Sequence, residues 1–311
     1  MPVEISVIAP VLNEEQNVYE LYTRLSAVLK NICSSYEIIL VDDGSKDHTL
    51  FAIEKIARED DAVKYISFSR NFGHQIALFA GLEKCSGQSV VLIDGDLQDP
   101  PEIIDPLFLQ LKQGYDVVYA KRTFRKGESF LKKITASFFY RILKKITATN
   151  IPVDTGDFRI VNKAVVIELL RMKEHNKFLR GQIAWLGFKE SSIEYKREER
   201  KSGNTNFGYN KMFRFAMDGI TGFSNFPIKF ASLSGIIISL FAFLFIIYVM
   251  FEKIVWKHTI TGWASLMVTI LFIGGIQLLS IGIIGEYISR INDSVRNRLL
   301  YIIDKTNIAD K

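Results

Sequence analysis

Short apolar runs alternate with amphipathic stretches through the first part of the chain. The apolar runs are rich in Val, Ile and Leu and predict strands that are buried on both faces, as in parallel sheets. These strands are expected at residues 5–10, 37–41, 63–68, 89–93 and 117–120. The stretches between them predict helices at 17–32, 47–58, 75–84 and 101–113. The alternation predicts an α/β domain built on a doubly wound, mostly parallel sheet.

The C-terminal third has a different pattern. Residues 230–251 and 259–285 contain no charged side chain. Each run is longer than the roughly 20 apolar residues needed to cross a bilayer core. We therefore expect two transmembrane helices, at 230–251 and 263–285, joined by an external loop at 252–262.

Charge on either side of these runs predicts the orientation. Basic residues precede the first run and follow the second, whereas the loop between them carries only Lys253 and Lys257, partly balanced by Glu252. The flanking basic residues are Lys211, Arg214, Lys229, Arg290, Arg296, Arg298 and Lys305. The start of the chain has no signal-peptide pattern. We expect residues 1–206 to form a cytoplasmic globular domain and residues 286–311 a cytoplasmic tail.

Two cationic amphipathic stretches are candidates for contact with the membrane surface. Residues 128–147 and the juxtamembrane segment 207–229 combine basic side chains with a broad apolar face. Such helices either pack on the globular domain or lie among lipid headgroups. The net charge of +5 fits nucleic acid or an anionic bilayer. Because the chain also has two predicted spans, we expect the bilayer, and no nucleic acid, to be the partner.

Acidic clusters follow three of the predicted strands. They are Asn13-Glu14-Glu15, Asp42-Asp43 and Asp94-Gly95-Asp96. Ligands of open α/β sheets bind beyond the carboxyl ends of the strands. An acidic pocket at that edge suits a divalent cation better than a bare phosphate.

The Asp94-Gly95-Asp96 segment is the best candidate for metal binding. If it is extended, Asp94 and Asp96 point the same way and can face one Mg²⁺ or Mn²⁺ ion. Such an ion would neutralise a departing diphosphate. Arg197, Arg200 and Lys201 lie in a Gly/Ser/Asn-rich loop, which is either solvated or closes over the phosphates.

Several other site classes lack their signatures. The sequence has no P-loop, no dinucleotide-binding glycine motif, no zinc-protease motif and no nucleophile elbow. Cys33 and Cys85 lack metal-binding spacing and are expected to be free thiols. The four histidines are scattered and are expected to be ordinary surface or core residues.

Three segments together, VIAPVLNEEQN, VDDGSKDHT and DGDLQDPPE, resemble the inverting family 2 glycosyltransferases of GT-A fold. The resemblance extends to the later DTGDFR segment, to the basic loop and to the paired C-terminal spans. Within the family, the chain is most similar to polyprenyl-phosphate sugar transferases such as dolichyl-phosphate mannose synthase and the bactoprenol glucosyltransferases of O-antigen modification in lipopolysaccharide.

The resemblance implies roles for matching positions. The nucleoside pocket would be lined by Pro10, Asn13, Glu15 and Asp42, and the metal and diphosphate would be handled by Asp94 and Asp96 with Gln98 nearby. Asp157 would lie beside the acceptor, with Asp96 as the second catalytic carboxylate. Arg122 and Arg200 would contact phosphate. The chain departs from the family at Thr205-Asn206, where Ser-Lys is usual. Arg200 is therefore expected to provide more of the loop's contact with phosphate.

The implied reaction moves a hexose, with glucose from UDP-glucose favoured, onto undecaprenyl phosphate in a bacterial inner membrane. Mannose, an N-acetylhexosamine or an amino-pentose remains open, as do homo-oligomerisation and the choice between Mg²⁺ and Mn²⁺. Asp157 is expected to orient groups or to accept a residual proton. The rivals are a processive polysaccharide synthase, whose Q-x-x-R-W motif is absent at Gln182, and a non-enzymatic membrane anchor.

Overall fold

The computed structural model describes residues 2–123, 155–175, 177–196, 226–255, 262–296 and 298–309. These residues form two compact units. One contains the described residues up to 196 together with 298–309, and the other contains two long helices. The predicted amphipathic helix at 128–147, Arg200 and most of the segment 207–229 lie outside the described residues.

The first unit is built on an eight-stranded sheet. In chain order its elements are β1 (Ile5–Val11), α1 (Val18–Ile32), β2 (Tyr36–Asp42), α2 (Thr49–Glu59), β3 (Val63–Phe68), α3 (His74–Lys84), β4 (Ser89–Leu92), a short 3₁₀ turn (Pro101–Ile103), α4 (Ile104–Lys112), β5 (Val117–Arg122), β6 (Thr155–Asn162), α5 (Lys163–Arg171), α6 (Leu179–Leu186), β7 (Glu190–Tyr195) and β8 (Ile303–Thr306). The strand order is β7-β5-β6-β4-β1-β2-β3-β8.

The central strands pair in parallel, as their apolar runs predict. Strand β1 lies between β2 and β4, β2 also pairs with β3, and β5 pairs with β7, all in parallel. Strand β6 runs antiparallel between β4 and β5, and β8 runs antiparallel on β3. The predicted GT-A-like α/β class, with a doubly wound and mostly parallel sheet, is confirmed.

The core has two layers because side chains of a strand alternate between its faces. Ile5, Val7 and Ala9 of β1 belong to one buried cluster with α1, α2 and α4. Ile8 belongs to the other cluster, with α3, α5 and α6. All five predicted strands and all four predicted helices in this part form within about two residues of their expected bounds, if the 3₁₀ turn Pro101–Ile103 is counted as the start of α4.

The second unit consists of helices α7 (Phe226–Val255) and α8 (Trp263–Arg296). Both are long and apolar enough to cross a membrane, with candidate spans at Ile228–Phe245 and Phe272–Arg296 of mean hydropathy 2.1 and 1.4. Their large apolar side chains are exposed, Leu278 by 72%. The second helix continues well past residue 285, where the predicted span ends.

Candidate active site

Strand register brings the two central carboxylates of the site together. Leu92, the last residue of β4, pairs with Arg159 of the antiparallel strand β6. Asp94 comes two residues after Leu92, and Asp157 comes two residues before Arg159. Since the strands run in opposite directions, both steps lead to the same edge of the sheet. The sequence placed each residue in a motif, and the sheet makes them neighbours.

His74 joins these two carboxylates. Its Nε2 lies 3.2 Å from Asp94 Oδ1 and 3.3 Å from Asp157 Oδ2. One potential ligand atom from each residue lies within 4.8 Å of the other two. We call His74, Asp94 and Asp157 the bridging cluster.

The bridging cluster has a strong electrostatic bias. Burial lowers the pKa of His74, but its hydrogen bonds to Asp157 and Asp94 outweigh burial and raise the pKa to about 10. Burial raises the pKa of Asp94, whereas the hydrogen bond and charge of His74 lower it, and the pKa is lowered overall. The imidazole therefore carries a positive charge between two carboxylates at neutral pH.

Asp157 is held from several sides. Arg180 of α6 donates from Nε to Oδ1 at 2.8 Å and from Nη2 to Oδ2 at 3.0 Å. Gln75 donates from Nε2 to Oδ2 at 3.1 Å, and Arg159 Nη2 lies 3.4 Å from Oδ1. Burial alone would raise the pKa of Asp157, but Arg180 and His74 hold it well below the ordinary value. A carboxylate this well stabilised is suited to orienting groups and is a weak proton acceptor.

The turn before α3 fixes the position of His74. Asp43, the first residue after β2, accepts hydrogen bonds from the backbone N–H of Phe72 at 2.7 Å and of Gly73 at 3.0 Å. Gly73 has a φ of 108°, which glycine adopts readily, and the helix begins at the next residue. Asp43 thus acts on the bridging cluster through the backbone.

The loop after β4 turns where the sequence suggested extended chain. Residues 95–96 form a turn, and Leu97 has a φ of 59°. A side chain at Gly95 would come within 2.6 Å of the Pro10 carbonyl oxygen. Asp96 accepts a hydrogen bond from the Gln98 backbone N–H at 3.1 Å and is not part of the bridging cluster. The geometric reason given for a shared ion on Asp94 and Asp96 therefore does not hold, and Asp96's roles in metal binding and catalysis stay predictions.

The residues expected around the nucleoside lie in the loops after β1 and β2. Asn13 Oδ1 accepts from the Lys46 backbone N–H at 2.8 Å, and Glu15 Oε2 accepts from the His48 N–H at 3.0 Å. Asp42 is buried and accepts from the Ser45 N–H at 3.0 Å and the Ser67 hydroxyl at 2.9 Å. Pro10 pairs with Val41 in the adjoining strands. The predicted set is brought together, and its side chains tie the two loops to each other.

Arg122 has a different environment from the one expected. Its Nη2 donates to Asp99 Oδ2 at 3.1 Å, its Nε donates to the Tyr195 hydroxyl at 3.1 Å, and the Tyr195 hydroxyl donates to Asp99. We call these three residues the Asp99 triad. A side chain at Gly156 would lie 2.5 Å from Arg122 Nη2, so the glycine of DTGDFR leaves room for the guanidinium. A phosphate contact by Arg122 stays a prediction.

Sequence reasoning missed four side chains around Asp157 and Asp94. His74 was classed as an ordinary histidine, and Gln75, Arg159 and Arg180 received no role. Arg159 had a signal, because it lies two residues after Asp157 in a strand and therefore on the same face. Arg180 had none, since its helix reaches the site only through the packing of α6.

Comparison with known proteins identifies the family. Residues 6–170, more than half of the chain, match the family described as "Glycosyl transferase family 2". The chain is 48% identical over 304 residues to YkcC of Bacillus subtilis, described as an uncharacterized glycosyltransferase, with 98% of this chain and 94% of the relative covered. It is 39% identical over 304 residues to the SfII prophage-derived bactoprenol glucosyl transferase of Shigella flexneri, with 98% of both covered.

The chain also matches a solved structure of glucosyl-3-phosphoglycerate synthase from Mycobacterium tuberculosis, in complex with Mn²⁺, UDP and phosphoglyceric acid. The TM-score is 0.48 and the identity 20%, and the match covers 70% of this chain and 76% of that one. The family match and the full-length relatives are the stronger findings. They agree with a sheet whose polar edge carries the bridging cluster. The chain therefore belongs to glycosyl transferase family 2 and is a glycosyltransferase.

Proposed function

We propose that this enzyme transfers glucose from UDP-glucose to the phosphate of a polyprenyl lipid, with inversion at the anomeric carbon. The observation that carries the proposal is the bridging cluster, where His74 lies within 3.3 Å of both Asp94 and Asp157. It joins the carboxylate expected beside the donor diphosphate to the carboxylate expected beside the acceptor. The proposal is also supported by the Shigella relative, which is named as a bactoprenol glucosyl transferase.

The donor set fits a divalent cation. Asp94 Oδ1 is buried and faces His74 Nε2 at 3.2 Å. Carboxylate oxygens are preferred ligands of Mg²⁺ and Mn²⁺, and Mn²⁺ also accepts imidazole nitrogen. Asp94 would hold the ion, with Asp157 within reach and Asp96 as the predicted second carboxylate. His74, which is protonated without the ion, would have to lose its Nε2 proton before that nitrogen could bind the metal. When bound, the ion would supply positive charge to the leaving diphosphate.

The chain's own residues would orient the acceptor. A lipid phosphate monoester has its second pKa near 6 and is largely dianionic at pH 7. Its oxygen can attack without losing a proton to the enzyme. Asp157, held by Arg180 and Gln75 with a lowered pKa, would fix the positions of His74 and Arg180 around that phosphate. Most of the rate increase would then come from positioning and fixed charge.

Membrane attachment follows from the same proposal. Strand β8, which follows α8 in the chain, pairs with β3, which precedes α7, so both belong to one sheet. Both segments must therefore lie on the same side of any bilayer that the two helices cross. The flanking basic residues favour the cytoplasmic side of a bacterial inner membrane. There the soluble donor and the headgroup of the lipid acceptor are both accessible.

The test is transfer by the purified full-length enzyme in detergent. UDP-glucose and a short polyprenyl phosphate should give a lipid carrying one sugar, with a β linkage by NMR and no product in excess chelator. UDP-N-acetylglucosamine, GDP-mannose and an amino-pentose nucleotide are the competing donors. Asp94→Asn is the inactive variant, and Asp105→Asn, an exposed change in α4, is its matched control. Chains of several sugars would point to a processive synthase, and activity in chelator would falsify the metal assignment.

A further inference from the structure

The residues after the second long helix are an integral part of the sheet. Helix α8 ends at Arg296, and the C-terminal segment, residues 298–309, lies along the edge of β3. The Ser69 N–H donates to the Ile302 carbonyl at 3.1 Å, and Thr306 Oγ1 donates to the Tyr65 carbonyl at 2.7 Å. The segment therefore covers a sheet edge that would otherwise be open.

Asn307 and an exposed ion pair complete this attachment. Asn307 Oδ1 accepts from the Tyr65 N–H at 2.8 Å, and its Nδ2 donates to the Val63 carbonyl at 3.0 Å. Lys305 Nζ lies 3.2 Å from Glu54, with the lysine side chain 54% exposed. Exposed pairs of this kind contribute little to stability, so Lys305 offers a matched control.

An aromatic stack leads from this segment toward the active site. The Tyr301 ring stacks on Phe68 with 4.9 Å between centroids, and its hydroxyl donates to Glu83 at 2.5 Å. Phe68 meets Phe72 edge to face at 5.6 Å. The Phe72 N–H is one of the two donors held by Asp43, and His74 follows two residues later. A contiguous packed path thus joins residue 301 to the turn that carries His74.

We propose that Tyr301 is a positioning residue for the transfer reaction, acting through Phe68 and Phe72 to hold the 69–73 turn and hence His74 between Asp94 and Asp157. The proposal rests on the proposed function for its effect on catalysis. Its structural content, that the tail fixes the turn, stands on the contacts alone. Tyr301 lies only five residues after the end of α8. The position of the 69–73 turn therefore depends on the C-terminal segment, which follows α8 in the sequence.

The first experiment is hydrogen exchange with mass spectrometry on the full-length enzyme. In Tyr301→Ala, amides of residues 69–76 should exchange at least about tenfold faster, while peptides from β1 and β4 keep their protection. Tyr301→Phe retains the ring and should behave like the parent protein. Lys305→Ala should leave residues 69–76 unchanged. Unchanged protection at 69–76 in Tyr301→Ala would overturn the proposal, as would a uniform increase over the whole sheet.

The second readout is the transfer rate. Tyr301→Ala should lower kcat by about tenfold with the KM for the nucleotide donor nearly unchanged, because displaced catalytic groups cost rate more than donor binding. Tyr301→Phe should keep most of the kcat of the parent enzyme. If Tyr301→Ala does not fold, Tyr301→Leu replaces it, since leucine keeps the apolar burial without the ring. Faster exchange at 69–76 with an unchanged kcat would refute the positioning role, whereas absent transfer in the parent enzyme would refute only the proposed function.

Discussion

The bridging cluster and the Asp99 triad are both made of carboxylates and cationic side chains at the same polar edge, yet they differ in how fully their groups are satisfied. In the Asp99 triad, Asp99 is fully buried, Arg122 is 11% exposed, and each of the three residues bonds to the other two. In the bridging cluster, Asp157 is also buried, but His74 remains 42% exposed and Asp94 23% exposed. Charged groups that are buried and fully paired with each other indicate a structural role. Charged groups that are partly exposed and incompletely paired can still bind a ligand.

The electrostatics follow the same division. Burial lowers the pKa of Arg122, but the charge of Asp99 outweighs burial and raises it. Burial also raises the pKa of Tyr195, and the charge of Asp99 adds to this effect. Arg122 therefore stays charged and Tyr195 neutral around neutral pH. The bridging cluster has a histidine, whose charge changes at moderately alkaline pH.

Asp99→Asn should give the largest effect, and it acts on stability. The change leaves the Arg122 guanidinium buried without its carboxylate, which typically costs about 3–5 kcal/mol. Urea unfolding of the detergent-solubilised full-length protein measures it. Asp94→Asn should cost at most about 1 kcal/mol, because its partner His74 is partly exposed to water. Equal losses in the two variants would remove the distinction between the clusters.

Asp157→Asn should act on catalysis, and because it also leaves the buried Arg159 without its carboxylate, the rate is measured per folded molecule. The variant loses the charge that holds Arg180 and His74, and misplaced catalytic groups typically cost about 100-fold in rate. Since the pKa of Asp157 is far below neutral, the loss should be the same from about pH 6 to pH 8. Nucleotide binding by calorimetry should survive. A loss that shrinks at high pH would instead identify Asp157 as the acceptor of a residual proton.

Tyr195→Phe is a smaller test of the triad. The change removes a hydroxyl that donates to Asp99 and accepts from Arg122 Nε, and hydrogen bonds to charged groups contribute about 1.5–3 kcal/mol. The lost stability should appear in the unfolding midpoint, with the transfer rate per folded molecule nearly unchanged. If nucleotide affinity falls in step with stability, the triad takes part in donor binding, as the family resemblance implies for Arg122.

The smallest expected effect concerns pH and His74, because water screens the ion pairs of a side chain that is 42% exposed. The pKa of His74 is raised from 6.5 in the unfolded chain to about 10 in the fold. Its contribution to stability is therefore fully present below about pH 6.5 and is lost as the pH rises toward 10. In chelator-treated enzyme, His74→Asn should flatten the fall of Tm over this range. A slope identical to that of the parent protein would show that His74 is uncharged or unpaired in the fold.

The fold was largely predictable from local pattern. Strands β1 and β2 are buried along almost their whole length and are mostly apolar, because helices cover both faces of the sheet, and this pattern predicted their parallel pairing. Strands β6, β7 and β8 were not predicted. Strand β6 is buried but carries Asp157 and Arg159, which interrupt its apolar run. Strand β7 alternates between exposed and half-buried positions, and β8 is short and mostly exposed, so neither has a strong apolar signal.

The sequence by itself determined the class of the domain, the two long apolar helices and the carboxylates at the strand ends, because each depends on hydrophobic period or on a local motif. Only the tertiary structure decided which charges meet. His74, Asp94, Asp157 and Arg180 come from four separate segments, and their contacts follow from the antiparallel register of β6 and the packing of α3 and α6. The same holds for Arg122, which pairs with Asp99 because the fold brings the two side chains close together. The Coulomb energy of the pair depends on distance and burial, and not on separation along the chain.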